Sequence, residues 1–353
     1  MTQSALRVKK AKLFKKLGGN LVLCQACQRY CRIAEGERGL CGVRENRGGK
    51  LYSLVYGQAV GPSPDPVEKK PLFHFLPGSR VLSFGTLGCN FSCQFCQNWF
   101  QSQVVKQEKN PLYLIRRYSE ELSPRELVDL ALKWNCGSIA YTYNEPTVFI
   151  EYALEVMKLA HQEGLKNIFV TNGYQSKESF DLTRKYLDAV NIDLKSFRDD
   201  FYRKICGGVS LDPVLENIRR YYRAGIWLEV TTLVIPGEND SAKELKQMAD
   251  FIKKISVNIP WHLSAFHPDY KMVDREPTGA KKLLEAWRIG KEAGLNYVYL
   301  GNIFDIKHAS TYCPRCGRLL VKRNGYSLME LNMEGGRCPK CGRKISGVWP
   351  LAF

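Results

Sequence analysis

Three cysteines within eight residues, Cys89, Cys93 and Cys96, constrain this chain more than any other feature. They lie on Cys89-Asn-Phe-Ser-Cys93-Gln-Phe-Cys96-Gln-Asn98-Trp99, with the spacing C-x3-C-x2-C. A strand-like apolar run, Val81-Leu-Ser-Phe84, and a glycine turn, Gly85-Thr-Leu-Gly88, lead into the loop. Cysteine thiolates hold iron–sulfur clusters, and a cubane cluster has four irons. Three cysteines on one short loop ligate three of them and leave the fourth open. The plainer readings are buried free cysteines or half of a zinc site.

From residue 80 the chain alternates strand and helix. Strand-like runs fall at 81–85, 138–142, 167–171, 189–194, 227–235, 261–266 and 297–300. Ser123-Pro-Arg-Glu126 reads as a capping box with proline at the first helical position. Asp212-Pro213 opens another helix in the same way. A helix over 147–163 presents Phe149, Ala153, Val156, Met157 and Ala160 on one face. Repeated strand–helix units imply a parallel sheet with right-handed crossovers. The fold class is therefore α/β; six such units resemble a partial (β/α)6 TIM-like barrel, here with a Cys-rich N-terminal metal module and a C-terminal ribbon. Four domains are expected: 1–60 the metal module, 61–79 a proline-rich connector, 80–305 the barrel, and 306–353 the ribbon.

The other cysteines fall in tight groups, which in an intracellular chain favours metal over disulfide. Cys24, Cys27, Cys31 and Cys41 lie within eighteen residues and form a complete ligand set, with glycines at 36, 39 and 42 that let the backbone wrap tightly. Zinc and a second iron–sulfur cluster are both compatible with it. Cys313-Pro-Arg-Cys316-Gly317 and Cys338-Pro-Lys-Cys341-Gly342 are two knuckles of a zinc ribbon. Cys136 and Cys206 stand alone and read as small buried hydrophobes.

Residues 9–16, Lys-Lys-Ala-Lys-Leu-Phe-Lys-Lys, read as a short basic helix packed by Leu13, Phe14 and Leu17. Residues 51–56 look β-like. The following run, Gly61-Pro-Ser-Pro-Asp-Pro-Val-Glu-Lys-Lys-Pro-Leu-Phe-His-Phe-Leu-Pro-Gly78, has too many prolines for a helix and is too apolar for a free linker. It reads as a loop draped over the barrel, with Lys69, Lys70 and His74 either approaching the active site or serving a structural clamp.

No apolar run approaches the ~18 residues of a membrane span, and Met1-Thr-Gln-Ser-Ala-Leu-Arg7 carries no signal-peptide core. A cytoplasmic protein with no membrane association is expected. The net charge of +17 is concentrated at the ends: residues 1–50 carry +9, residues 306–353 carry +7, and the rest only +1. Those basic ends suit RNA, an acidic protein face, or plain solvation.

Taken together, the cysteine loop and the strand ends resemble the radical S-adenosylmethionine (SAM) enzymes. Phe95 before the third cysteine is usual in that family, and Gln97-Asn98 resembles its pyruvate formate-lyase activating branch. The resemblance implies a [4Fe–4S] cluster on Cys89, Cys93 and Cys96 whose open iron is chelated by SAM. One electron cleaves SAM to a 5′-deoxyadenosyl radical, which takes hydrogen from substrate. In such barrels sites lie at the C-terminal ends of strands. The resemblance accordingly places SAM contacts at Asn144 and Glu145 in Tyr141-Thr-Tyr-Asn-Glu-Pro146, where Tyr143 replaces a glycine. It adds Thr171 and Asn172, Asp193 and Lys195, Val234 and Asn239 in Val234-Ile-Pro-Gly-Glu-Asn-Asp240, and His267.

Cys41-Gly-Val-Arg44 and the long connector motif further resemble the radical SAM component of the AmmeMemoRadiSam system. That likeness implies Memo-like and AMMECR-type partner proteins and an electron donor such as ferredoxin or flavodoxin. The substrate is expected to be a macromolecule, protein or RNA. Three readings stay open: a glycyl-radical activase, an RNA-modifying enzyme, and a non-catalytic protein that keeps its cluster for structure.

Overall fold

A computed structural model describes residues 8–350. The Met1–Arg7 stretch inspected for a signal peptide lies outside the described residues. The chain divides into two compact units. The first comprises residues up to 64 together with 81–188 and 205–209; the second comprises 65–80, 189–204 and 210 onward.

In the first unit the strands Arg80–Gly85, Ser138–Tyr141 and Lys166–Thr171 run parallel, with Ser138–Tyr141 between the other two. Their registers, Tyr141 opposite Phe84 and opposite Phe169, bring three strand ends level. The sequence explains each connection. Ser123 caps the Pro124–Lys133 helix through the expected reciprocal box with Glu126. The helix Ile150–Gln162 follows one tight turn, Pro146–Phe149, and buries Ala153, Val156, Met157 and Ala160. Its aromatic neighbours Phe84, Tyr141, Phe149 and Tyr152 meet edge-on or tilted, with centroids 5.3–5.9 Å apart. This geometry suits ring quadrupoles.

Two expectations for the N-terminal region are corrected. Residues 9–16 are not a helix; Lys9–Lys10 and Phe14–Lys16 are strands. Phe14 pairs with Cys24, and Leu13 accepts a hydrogen bond from the Gln25 amide, so ladder bonds to the cysteine module take the backbone that a helix would have used. The proline run does not begin as a loop either. Gln58–Pro66 is a nine-residue strand. Pro62, Pro64 and Pro66 recur at every second position, so their missing N–H groups share one side of the strand.

The second unit has the parallel strands Ala189–Asp193, Trp227–Val234, Trp261–Ala265 and Val298–Gly301, paired in that order. The helix Asp212–Arg223 begins where Asp212-Pro213 indicated, with Leu211 rather than Asp212 at the cap. The remainder of the connector belongs to this unit and is a clamp. Glu229 accepts the backbone N–H groups of Phe73 and His74, at 3.0 and 2.8 Å, and pairs with His262 at 2.6 Å. Lys70 is buried against Asp65. Among the alternatives, Lys70 and His74 are thus internal to the clamp.

His74 is completely buried. Its Nδ1 lies 2.7 Å from the Ser346 carbonyl, which can only accept, so Nδ1 carries the proton and Nε2 accepts from Tyr299 Oη at 2.5 Å. Tyr299 continues to Thr311 and Thr311 to Arg323. Burial pushes the His74 pKa down to about 4. The native state therefore binds fewer protons than the unfolded chain between that value and the ordinary 6.5. Stability is present in full above pH 6.5 and lost as pH falls toward 4, by about 3 kcal/mol over the window. Urea unfolding at stepped pH should show this slope, and His74→Gln should flatten it.

The antiparallel strands Thr311–Tyr312, Leu319–Asn324 and Ser327–Leu331 form the C-terminal ribbon. No helix among the described residues is long and apolar enough to cross a membrane.

Candidate active site

The cysteine loop leaves the first parallel strand through two glycines that tolerate no side chain. A Cβ on Gly85 would stand 2.5 Å from the Thr142 carbonyl, and one on Gly88 would stand 2.6 Å from the Cys41 carbonyl. Gly88 also has φ +89°, a left-handed conformation that favours glycine. Gly88→Ala should cost of order 1–3 kcal/mol. It should also lower iron retention at the loop, read by thermal unfolding and iron analysis.

Neighbouring strand ends hold the loop. Asn144 donates to Thr86 Oγ1 at 3.1 Å and to the Gly88 carbonyl at 2.7 Å. Tyr143 takes a glycine-like backbone with φ +69°. Its hydroxyl lies 3.2 Å from Ser63 Oγ, and its carbonyl accepts from Asn98 at 3.0 Å. Farther along, Ser92 and Gln94 donate backbone bonds to the Cys206 and Ile205 carbonyls. Lys106, half-buried beneath the loop, donates to the Phe91 carbonyl and to Ser92 Oγ. Burial pushes its ammonium pKa down, while the nearby Cys89, Cys41 and Cys93 sulfurs oppose that shift.

Glu145 is completely buried and ties two strand ends together. Its carboxylate accepts from Thr147 N and Oγ1, from Thr171 Oγ1 at 2.9 Å, and from Asn172 N at 2.9 Å. Burial raises its pKa, and these hydrogen bonds oppose the rise. Asn172 is thereby held with its Nδ2 2.7 Å from Asn90 Oδ1 and 3.9 Å from Cys89 Sγ. The first unit thus brings Asn144, Glu145, Thr171 and Asn172 together around the cysteine loop. Asn144 and Glu145 spend their polar atoms on positioning it.

The donor set fits an iron–sulfur cluster. Cys89 and Cys93 are buried and Cys96 is half-buried. The Phe91 amide donates to Cys89 Sγ at 3.5 Å, and Ser102 Oγ lies 3.1 Å from Cys96 Sγ. Polar hydrogens aimed at sulfur stabilise the thiolate a cluster requires.

The Radical SAM superfamily description matches residues 84–252, which include all three cysteines. The chain belongs to the radical SAM superfamily. It is therefore an enzyme whose family implies a [4Fe–4S] cluster and SAM. An uncharacterized protein of Methanocaldococcus jannaschii is 42% identical over 97% of this chain and 100% of its own length. The pyruvate formate-lyase-activating enzyme of Clostridium pasteurianum is 24% identical over 58% of this chain and 87% of its own. The crystal structure of Streptococcus suis SuiB, 13% identical, superposes with a TM-score of 0.50 over 70% of this chain and 56% of that one. The last comparison concerns the fold alone, and agrees with an α/β barrel built on parallel strands.

The second unit gathers its own strand-end residues. Lys195 Nζ pairs with Asp193 at 2.7 Å. Asn239 is completely buried, donating to the Lys195 and Leu233 carbonyls and accepting from Ile235 N. Val234 is buried beside it. His267 is exposed, with Nδ1 3.4 Å from the Pro268 carbonyl.

In the ribbon, Cys313, Cys316, Cys338 and Cys341 have their sulfurs within 4.8 Å of one another, a set able to hold a metal ion. The Gly317 and Gly342 amides close the two knuckles onto the Cys313 and Cys338 carbonyls, each at 2.9 Å. Sequence reasoning missed Lys106, Asn90 and Glu229. No spacing rule marks them, because each acts through tertiary contacts rather than within a local motif.

Proposed function

We propose that this enzyme uses its cluster to cleave SAM reductively and takes hydrogen from a protein, in the manner of a glycyl-radical activase. Bound together, cluster and SAM supply a 5′-deoxyadenosyl radical. The observation that carries the reading is the loop of three thiols held level with neighbouring strand ends by Asn144, Glu145 and Asn172. In this reading Asn144 and Glu145 are positioning residues. Thr171 and Asn172 orient SAM, and Asp193, Lys195, Val234, Asn239 and His267 are retained as its further contacts. The ribbon is assigned zinc: a tetrahedral ion with Zn–S near ~2.3 Å separates its sulfurs by about 3.8 Å, and the Cys313–Cys341 and Cys316–Cys338 sulfurs are each 3.6 Å apart. Ferredoxin or flavodoxin is proposed as electron donor. Memo-like and AMMECR-type partners are proposed on the motif resemblance alone.

One observation favours RNA as a second reading: Arg315, Arg318, Arg337 and Lys340 are all exposed around the ribbon knuckles. A single experiment separates the two. Protein and RNA pools from a deuterated host lacking this enzyme are incubated with reduced, cluster-loaded enzyme and unlabelled SAM in ordinary water. Deuterium in 5′-deoxyadenosine with protein alone supports the activase. Deuterium with RNA alone transfers the assignment to RNA modification. Unlabelled product with both pools sinks both readings in favour of a small metabolite.

A further inference from the structure

The four N-terminal cysteines line one cavity, together with Arg29, Arg44, Asn90 and Thr147. Backbone N–H groups of Arg29, Leu40 and Val43 bond to Cys27, Cys31 and Cys41. Four convergent, amide-bonded thiols constitute a metal site. Among the described residues, the ribbon's sulfurs are the only set of three or more ligand atoms lying within 4.8 Å of one another. That is the compact spacing of one tetrahedral ion. The cysteine loop at Cys89–Cys96 does not meet it, and a cubane does not ask it to: its thiolates sit on separate irons at the corners of a cube. The N-terminal four follow the loop, not the ribbon. One protein thus supplies a compact reference, and among the described residues neither the loop nor Cys24, Cys27, Cys31 and Cys41 meets it.

A second observation points to the occupant's chemistry. Two residues lining the cavity hold buried N–H donors without a protein partner, Arg44 Nε and Asn90 Nδ2. Both residues are nearly inaccessible, at 2% and 1% exposure. Buried donors left unpaired cost about 1–3 kcal/mol each, so an acceptor is expected there. The bridging sulfides and thiolates of a cluster are such acceptors. Arg29 adds positive charge at the cavity rim, with its guanidinium fixed by the carbonyls of Asn90, Gly207 and Gly208. That charge suits a group whose four thiolates and [4Fe–4S]²⁺ core sum to −2.

We infer that Cys24, Cys27, Cys31 and Cys41 hold a second [4Fe–4S] cluster, ligated by four cysteines and therefore closed to SAM. Asn90 belongs to both neighbourhoods, since it lines this cavity and follows Cys89 in the chain. Asn90 thus adjoins both cysteine sets, and a Cβ on Gly88 would stand 2.6 Å from the Cys41 carbonyl.

The test uses the full chain, reconstituted anaerobically with iron and sulfide. The variant Cys89→Ala/Cys93→Ala/Cys96→Ala is expected to keep about four irons and four sulfides. On reduction it should give an EPR signal that added SAM leaves unchanged. The variant Cys24→Ala/Cys27→Ala is expected to lose about half of the wild-type iron and to keep a SAM-sensitive signal. Iron at background in the first variant, with zinc rising to about two per chain, would overturn the inference; so would iron unchanged from wild type in the second. Circular dichroism checks folding, and either variant decides alone if the other fails to fold. Failure of the SAM reading is distinguishable, because it would appear as a wild-type signal indifferent to SAM with all iron present.

Discussion

Replacing Cys93 by alanine is expected to abolish SAM cleavage while leaving the ribbon's metal in place. The argument rests on ligand number. A cubane with one open iron needs three protein thiolates, and the loop offers only Cys89, Cys93 and Cys96, on a segment held by Gly85, Gly88 and Lys106. Removing one ligand leaves two, and the site loses its iron. The remaining protein should stay folded, because Cys93 is small and alanine preserves most of its buried volume. The measurement is 5′-deoxyadenosine by mass spectrometry beside iron and zinc analysis. Product should fall to background, iron should fall by about four per chain, and zinc should stay at the wild-type level. Cleavage unchanged in the variant would return these cysteines to the plainer reading of buried thiols.

Much of this architecture is visible in one dimension. The parallel strands were readable because each is a short apolar run between amphipathic helices, and the observed limits differ from expectation by about a residue. Ser123–Glu126 was readable because a capping box is completed within four residues. The cysteine groups were readable because metal ligation confines its residues to short spacings. These signals are local, and local chemistry decides them.

What escaped is decided at long range. Residues 9–16 have a composition compatible with helix, and only the pairing of Phe14 with Cys24 makes them strand. The proline run disguised a strand because a proline that lacks an N–H is harmful only where a neighbour needs that donor. Asn144, Glu145 and Asn239 are polar residues at strand ends, where the resemblance has a cofactor meet them. In the fold their polar atoms bond to turns from other strands. The sequence announces the type of residue at a strand end but does not reveal which hydrogen bonds it has already made. The clamp is the extreme case: Glu229 holds residues more than 150 positions away, and neither partner has an unusual local pattern.

Arg44→Ala is expected to be the most destabilising single change in the first unit, by about 3–5 kcal/mol. Arg44 and Glu151 form a two-pronged pair, both bonds 2.8 Å, with side chains 2% and 0% exposed. Burial alone would raise the Glu151 pKa; the Arg44 charge and hydrogen bonds outweigh it and hold the carboxylate below its usual range. Glu151 also accepts the Lys12 backbone amide at 2.9 Å. The pair therefore joins the N-terminal strands, the Cys41-Gly-Val-Arg44 turn and the helix Ile150–Gln162. Truncating Arg44 leaves a buried carboxylate without its cation, and most of the loss arises there. The double variant Arg44→Met/Glu151→Met removes both charges at similar volume and should recover much of the stability. The two effects of Arg44 separate in that comparison. Urea unfolding should improve from the single to the double variant. Retention of metal by Cys24, Cys27, Cys31 and Cys41 should not, because one of the two guanidinium groups lining that cavity remains absent and Arg29 alone is left to offset the charge of four thiolates. Equal recovery of both would make Arg44 a folding residue alone.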